Sequence, residues 1–342
     1  MSLPMAEQPH LPLFEDWSPQ MGIADCGDSD WTPPRRTTCG KLPIHPGAMG
    51  IQFGQSVFEG CRAFWNGADP ARLFRIDEHY SRLVTSCERL RMPVPPEQLF
   101  VEAVANQLQD ATSWSSPFPS ETLYIRPVVF GQDDHVMPIP SARTTFVVLT
   151  APLRLFPGKP LVLLAERKFS RAAKGGLGHA KTSANYAHQY LPTWRAKEAG
   201  CDAVLWLDAE THERIEEAST MNIFMVIGGE LVTPSLQDTI LPGITRRSVI
   251  TLARERHGLK VVERPITLTE VAEAIEDGTL TEAFTASTAL QIRPIARIVN
   301  RERNIDFPQE TPWMDRLRRD LDAIQRGEAD DEWGWITEVP VL

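Results

Sequence analysis

The chain lacks the features that would mark it as a membrane or secreted protein. No apolar run in its 342 residues approaches the roughly 20 residues that a membrane-spanning helix needs. Residues 1–17 contain no basic start followed by an apolar stretch, which is the pattern of a secretory signal peptide. We therefore expect a protein of the cytoplasm with no membrane partner.

The sequence also lacks a basic excess and an ordered set of cysteines. Its 35 Lys and Arg against 45 Asp and Glu leave a net charge of −10. This balance argues against a nucleic-acid partner, because phosphates are neutralised by clustered Lys and Arg. The five cysteines are scattered without CxxC spacing, so neither a zinc site nor a disulfide framework is expected.

What is present is an ordinary globular composition, with 42% hydrophobic and 23% charged residues. At about 150 residues per domain, the length predicts two domains. The unusual count is 28 Pro, and their clusters predict loops in the first half. Because residues 156–160 are rich in turn formers, we expect a first domain at 1–157, a linker at 158–171 and a second domain at 172–342, both of the α/β class.

Local patterns predict individual elements. Apolar residues at helical spacing predict a helix after Asp77, whose side chain we expect to cap it. Thr267 and Glu270 form a capping-box pattern for a later helix. Residues 1–50 are expected to be irregular. The predicted strands cover 72–76, 123–130, 144–150, 161–165, 203–207, 222–226 and 230–233, and a further helix covers about 245–257.

Two segments carry groups suited to catalysis. Lys181 lies in a run of small residues, and a lysine nucleophile needs a partly desolvated site to lose its proton. Glu216 and Glu217 precede an apolar strand, and either carboxylate could hold a cationic ring nitrogen. Taken alone, these patterns favour a surface lysine and a solvated acidic turn.

Three further segments are suited to binding an anion. Residues 241–247 open a helix whose free amides favour phosphate, and Thr245 adds a hydroxyl. Residues 285–289 form a small-residue turn, and Arg82 lies beside the apolar stripe of its helix, although ordinary capping and packing are alternatives. Together the segments supply a Schiff-base lysine, an acid for a ring nitrogen and phosphate donors, which pyridoxal phosphate requires.

The sequence resembles the fold-type IV pyridoxal-phosphate enzymes, and among them the branched-chain amino acid aminotransferases. The matching stretches are residues 56–60, 79–83, 124–127, 181–186, 204–208, 217–222, 241–246 and 333–335. The resemblance implies a mixed α/β (α+β) fold with a small N-terminal domain and a larger C-terminal domain. It also implies a homodimer whose site lies between the domains and is walled partly by the second subunit.

The resemblance implies residue roles as well. Lys181 would carry the cofactor as a Schiff base and then shuttle a proton between the substrate Cα and the cofactor C4′. Glu217 would keep the ring nitrogen protonated, and Tyr186 would hydrogen-bond the 3-oxygen. The other predicted cofactor-binding residues are Arg82, Arg171, Thr220, Ile244, Thr245 and Thr288, and the predicted substrate-binding residues are Phe53, Phe58, Tyr124, Arg126, Phe156 and Ala289. The implied reaction transfers an amino group from a branched-chain or related hydrophobic L-amino acid to 2-oxoglutarate.

Several residues depart from the family pattern. Phe53 and Phe156 stand where tyrosines are usual, which removes two hydroxyls. Small side chains replace common glycines at 183–184, 218–219 and 286–287. Because a pocket discriminates strongly through its polar groups, these changes predict a specialised substrate rather than a loss of chemistry.

Two other functions stay open at this point. The same cofactor fold could act on another amine or a D-amino acid, or could catalyse elimination, and only the departing pocket residues favour this. A non-catalytic binding protein is the more remote alternative, since such a protein would have no reason to keep both Lys181 and Glu217.

Overall fold

The computed structural model describes residues 17–27, 30–67, 70–109, 122–153, 159–301 and 303–341. These residues form two β-sheets of nine strands each, with helices packed against them, so the predicted mixed α/β class is confirmed. No helix in the described ranges is long and apolar enough to cross a membrane.

The first sheet is antiparallel throughout and comes mostly from the first half of the chain. Its strands are β1 (Gln20–Gly27), β2 (Asp30–Trp31), β3 (Arg35–Thr38), β4 (Ser56–Phe58), β5 (Cys61–Phe64), β6 (Ala71–Phe74), β7 (Thr122–Gly131), β8 (Thr144–Pro152) and β18 (Ile336–Val339). Their order is β18-β6-β5-β7-β8-β1-β2, with β3 beside β1 and β4 beside β7. The short helix α1 (Met49–Gln52) precedes β4, and α2 (Ile76–Arg89) and α3 (Glu97–Leu108) pack against the sheet around a core that includes Leu83, Phe100 and Phe146.

The second sheet is mixed. Its strands are β9 (Leu161–Glu166), β10 (Ala203–Leu207), β11 (Ile215–Ala218), β12 (Asn222–Ile227), β13 (Glu230–Thr233), β14 (Val261–Glu263), β15 (Leu280–Ser287), β16 (Gln291–Val299) and β17 (Ile305–Asp306). The order is β11-β10-β9-β16-β15-β12-β13-β14, with β17 beside β16. Its helices are α4 (Ala184–Ala187), α5 (Tyr190–Glu198), α6 (Ile244–Thr251, continued by a π-helical turn at Leu252–Arg256), α7 (Leu268–Glu276) and α8 (Pro312–Arg326).

The predicted strands all occur, with bounds shifted by a few residues. A hairpin at Gly228 and Gly229 joins β12 to β13, the strands predicted at 222–226 and 230–233, and both glycines have positive φ. The hydroxyl oxygen of Thr267 accepts a bond of 3.1 Å from the amide of Glu270, as the capping pattern predicted. Short-range sequence signals therefore located these elements correctly.

Two local predictions were wrong. Asp77 does not cap α2, because the helix starts at Ile76 and its cap position is Arg75, with a φ of 52°. The described residues of the first fifty are not all irregular, since β1 pairs with β8 inside the first sheet. A Cβ added at Gly22 of β1 would lie 3.1 Å from Gln107 Nε2, so a small residue lets α3 pack closely, and such residues weaken an apolar strand pattern.

The predicted domain boundaries remain a prediction, and two strands bear on them. Strand β9 lies within the predicted linker, yet it pairs with β10 and β16 in the second sheet. Strand β18 lies within the predicted second domain, yet it pairs with β6 in the first sheet. Just before β18, the ring of Trp335 packs edge-on against Phe74 at 5.7 Å, so the end of the chain attaches to the first sheet.

Candidate active site

A cavity of about 640 Å³ lies between the two sheets. Its first side is formed by Phe58, Gly60, Arg82, Tyr124, Arg126 and Val128. Its second side comes from four segments of the second sheet and its helices, within residues 181–190, 220–222, 241–245 and 286–290. The cavity therefore collects residues that are far apart in the chain.

Lys181 is held at the junction of the two sheets by its own backbone. Its amide donates to Ser86 Oγ at 2.9 Å, and its carbonyl accepts from the amide of Phe58 at 3.1 Å. The Nζ atom lies 3.0 Å from the hydroxyl of Tyr186 and 4.7 Å from the centre of the Phe58 ring. A half-buried amine beside an aromatic face and a phenol is placed as a nucleophilic lysine requires.

Arg82 reaches the cavity from α2 and is anchored by a buried carboxylate. Its Nε and Nη2 donate to the two oxygens of Glu59 at 2.7 and 2.8 Å, and its Nη1 donates to the carbonyl of Pro242 at 3.1 Å. His79 Nδ1 lies 2.7 Å from Glu59 Oε2. Although burial opposes the charge of Glu59, Arg82 and His79 outweigh it and hold the pKa of Glu59 well below its usual range. The guanidinium is therefore fixed in place, as bidentate pairs are.

Glu217 lies beneath the cavity rather than on its wall. Its side chain is 3% exposed, its Oε1 accepts from the amide of Leu241 at 2.6 Å, and its Oε2 lies 3.1 Å from Arg171 Nε. Burial raises the pKa of Glu217, and Arg171 and the Leu241 amide oppose that rise. Arg171 also donates to the carbonyls of Gly178 and Thr239, so it holds the carboxylate instead of lining the cavity.

Two turns present backbone amides to the cavity. The first is the start of α6 at Ile244 and Thr245, where the opening amides of a helix have no partner within the helix. A Cβ added at Gly243 would lie 2.0 Å from Asn222 Oδ1, so this close approach requires glycine. The second turn joins β15 to β16 at residues 288–290 and includes Thr288 and Ala289. Together they are suited to an anion, as helix N-termini are.

An arginine and aromatic rings form the other end of the cavity. Arg126 Nη2 donates to the hydroxyl of Tyr124 at 3.0 Å, and the guanidinium carbon lies 4.6 Å from the centre of the Phe58 ring. The Nε atom of Arg126 is buried without a partner in the described structure. A Cβ added at Gly60 would lie 2.1 Å from the Tyr124 hydroxyl, so glycine makes room for that ring.

Most of the predicted site residues line the cavity or lie directly behind it. Thr220 lines the cavity with the residues already described, and so does Ser183, one of the departures from the family pattern. Phe53 does not line it, because its ring is 44% exposed on the surface after α1. Phe156 lies outside the described residues.

Sequence reasoning missed several residues of the site. No role was predicted for Glu59, although a lone charged residue in an otherwise apolar stretch was a usable signal. Asn222, whose Nδ2 donates to the carbonyl of Leu241 at 3.1 Å, was treated only as part of a strand. Tyr190 also lines the cavity, and nothing in the local pattern indicated it.

The donor set is suited to an organic cofactor rather than to a metal. Within the described ranges no group of three or more His, Cys, Asp and Glu could hold a metal ion. The cavity instead combines an amine, two amide turns with threonine hydroxyls, and a carboxylate of raised pKa behind its floor. These groups match an aldehyde, a phosphate and a basic ring nitrogen, so the residues present fit pyridoxal phosphate.

Comparison with known proteins identifies the class and then the family. Residues 56–298 match the amino-transferase class IV family. Branched-chain-amino-acid aminotransferase 2 of Bacillus subtilis is 36% identical over 320 residues, which cover 92% of this chain and 88% of that protein. The chain belongs to the class IV aminotransferases and is a pyridoxal-phosphate-dependent aminotransferase.

Solved structures agree with this assignment. The branched-chain aminotransferase from Thermoproteus uzoniensis with norvaline has a TM-score of 0.77 and 26% identity, covering 93% of this chain and 99% of that chain. The branched-chain amino acid aminotransferase from Escherichia coli has a TM-score of 0.75 and 25% identity, covering 93% of this chain and 98% of that chain. The fold is therefore fold type IV, as predicted.

Proposed function

We propose that this enzyme transfers the amino group of a branched-chain or related hydrophobic L-amino acid to 2-oxoglutarate. The observation that carries the proposal is the cavity around Lys181, which has an apolar wall and two guanidinium groups, those of Arg82 and Arg126, in the same space. Phe58, Val128 and Leu290 supply apolar surface for an aliphatic side chain. Arg126 supplies a charge for a second carboxylate, because its Nε has no partner in the described structure.

The cofactor would be held at three points. Arg82, the amides of Ile244 and Thr245 and the turn at Thr288 are suited to its phosphate. Glu217 would face the ring nitrogen and Tyr186 the 3-oxygen, while Thr220, which lines the cavity, would lie beside the ring. When bound, pyridoxal phosphate supplies an electron-withdrawing ring that accepts the electron pair left by removal of the substrate α-proton.

Lys181 would hold and return that proton at its Nζ. The Tyr186 hydroxyl lies 3.0 Å from this atom and keeps it directed into the cavity. The backbone bonds to Ser86 and Phe58 prevent the lysine segment from drifting as the proton moves. Holding a reacting group in position is a large part of the catalytic advantage of an enzyme.

The first test is a donor and acceptor panel. Leu, Ile and Val with 2-oxoglutarate should give glutamate and the matching oxo acids, and each donor alone should convert the bound cofactor to its amine form. Conversion by D-amino acids or simple amines alone would favour the alternative reaction, and no conversion by any branched-chain donor would contradict the proposal.

Substitution of Arg126 should affect the two half-reactions differently. Arg126→Met should slow the half-reaction with 2-oxoglutarate about 100-fold, because a charge-assisted bond is worth several kcal/mol when its partner is buried. The half-reaction with leucine should change much less. Equal losses in both halves would exclude Arg126 from recognition of the second carboxylate.

A specialised substrate and a homodimer are parts of the same proposal. Phe53 is exposed, and its neighbour Gly54 lies close to the lysine segment, since a Cβ added at Gly54 would lie 3.6 Å from Ala184 Cβ. A second copy packed over Ile51 and Phe53 would bury Phe53 in the dimer interface. Phe53, where a tyrosine is usual, could then contact the substrate. Sedimentation should give a dimer, and Phe53→Tyr should shift the donor preference; a monomeric active enzyme would contradict both.

A further inference from the structure

Glu216 is a buried carboxyl group beside the active site for which the proposed reaction has no role. It lies in β11 directly before Glu217, it is 6% exposed, and its Oε2 is buried without a hydrogen-bond partner. Burial of a charged oxygen without a partner is unfavourable, and it raises the pKa of Glu216 to about 7. A group with this setting needs an explanation.

A short chain of contacts connects Glu216 to the ion pair of Glu217. The side chain of Thr239 hydrogen-bonds to Glu216, and the Thr239 carbonyl accepts from Arg171 Nη2 at 2.5 Å. Arg171 Nε in turn lies 3.1 Å from Glu217 Oε2, and the amide of Leu241 donates to Glu217 Oε1 at 2.6 Å. The segment 239–241 therefore touches both carboxyl groups and their shared arginine.

More negative than positive groups act on the Glu216 carboxyl group. Arg171 favours its ionisation, whereas Glu217 and Asp208 oppose it. Asp208 is a permanent negative charge, because the amides of Thr211 and Arg214 outweigh burial and hold its pKa at about 2. Glu217 lies within ion-pair distance of Arg171, so Glu216 has no cation of its own in the described structure.

We infer that Glu216 is a reserve counter-charge for the cofactor ring, neutral until a protonated ring nitrogen binds beside Glu217 and ionised afterwards. The ring nitrogen brings a second positive charge to a cluster that has one cation, Arg171, and two carboxyl groups. In a low-dielectric interior charges act on each other over several ångströms, so ionised Glu216 then stabilises the ring charge. Its proton passes to solvent, and no other bond breaks. The inference rests on the role proposed for Glu217.

A consequence is that cofactor binding releases a proton. By mass action, a complex that forms with proton release becomes tighter as pH rises through the range where the free group titrates. The affinity should rise with pH up to about 7, the pKa of Glu216 without cofactor, and level off above it. Replacement of Glu216 by a neutral residue removes this part of the pH dependence.

The experiment compares proton release by three apo-proteins on addition of pyridoxal phosphate: the natural chain, Glu216→Gln and Glu210→Gln. Glu210 is a matched control, since its side chain is 72% exposed on the turn after β10. At about pH 6, where a group with a pKa near 7 is mostly protonated, the natural chain and the control should release up to about one proton per chain more than Glu216→Gln. Equal release by all three proteins would overturn the inference.

Two further measurements keep the test decisive. Glu216→Thr is a second neutral variant suited to a strand, and it should lose the same proton and show a flatter pH dependence of cofactor affinity. An affinity that rises with pH as steeply in both variants as in the natural chain would contradict the inference. Failure of the Glu217 role is distinguishable, because Glu217→Gln would then keep the natural spectrum of the bound cofactor.

Discussion

Two buried carboxyl clusters flank the same cavity and differ in the ratio of basic groups to carboxyl groups. Around Glu59, two basic side chains serve one carboxylate, with bonds of 2.7 and 2.8 Å from Arg82 and a contact of 2.7 Å with His79. Around Arg171, one guanidinium is the cation for two carboxyl groups, those of Glu216 and Glu217. Oε2 of Glu216 has no hydrogen-bond partner within the described chain.

The difference explains what each cluster can do. A carboxylate with more donors than it needs stays ionised and fixes its neighbours, so Glu59 is suited to holding Arg82. A cluster with fewer cations than carboxyl groups can accept another cation, so the pair at Glu216 and Glu217 is suited to a protonated ring. In the proposed binding mode, the end of the cavity at Arg82 is therefore preformed, and the end at Glu217 would be completed by the ligand.

The largest expected effect removes the chemistry and leaves both clusters intact. Lys181→Ala should abolish transamination, because no other lysine lines the cavity in the described part of the chain. Single-turnover conversion of bound cofactor with leucine measures this loss. Lys174→Ala, on the exposed loop before Lys181, is the control and should convert normally. Conversion by Lys181→Ala at the rate of the natural protein would exclude Lys181 as the catalytic lysine.

The next change breaks the cluster with excess donors. Glu59→Gln should lower the free energy of unfolding by about 3–5 kcal/mol, since it leaves the buried Arg82 charge unpaired. Because the pKa of Glu59 is lowered in the folded state, its stabilisation is present above the unfolded pKa and is lost as pH falls. Urea unfolding against pH tests both points. Stability equal to that of the natural protein at neutral pH would mean that Arg82 does not depend on Glu59.

The matching change in the other cluster should affect the reaction more than the fold. Glu217→Gln should lower kcat about 10²–10³-fold, the cost of removing one preorganised electrostatic partner. The spectrum of the bound cofactor should shift because the ring nitrogen loses its proton. A fall in kcat of less than tenfold would contradict the proposal that Glu217 stabilises a protonated ring nitrogen.

The smallest expected effect is a pH dependence of stability without cofactor. The folded chain raises the pKa of Glu216 to about 7, so its neutral form is favoured by folding. Stability is then greatest below the unfolded pKa and falls by about 1–3 kcal/mol as pH rises towards neutral. Glu216→Gln should remove this decline in urea unfolding, whereas Glu210→Gln should retain it. An unchanged decline in Glu216→Gln would place the titrating group elsewhere.

Short motifs allowed much of the fold and part of the site to be predicted. β-Branched and aromatic residues located β7 and β8, and a capping-box pattern located α7, because these signals depend on near neighbours in the chain. The amide turn at Ile244 follows from a local helix start. Strand β1 escaped prediction because its place depends on α3 packing against it, which no local pattern records.

By itself, the sequence determined the class of the protein and its cofactor. It also predicted the roles of Lys181, Tyr186 and Glu217, since these residues lie in short stretches of recognisable pattern. Only the tertiary structure decided which groups hold them. It paired Arg82 with Glu59, 23 residues away, and Arg171 with Glu217, and it put Phe53 on the surface. The reason is physical: the charge state of a buried group depends on every neighbour, and those neighbours come together only when the two sheets pack around one cavity.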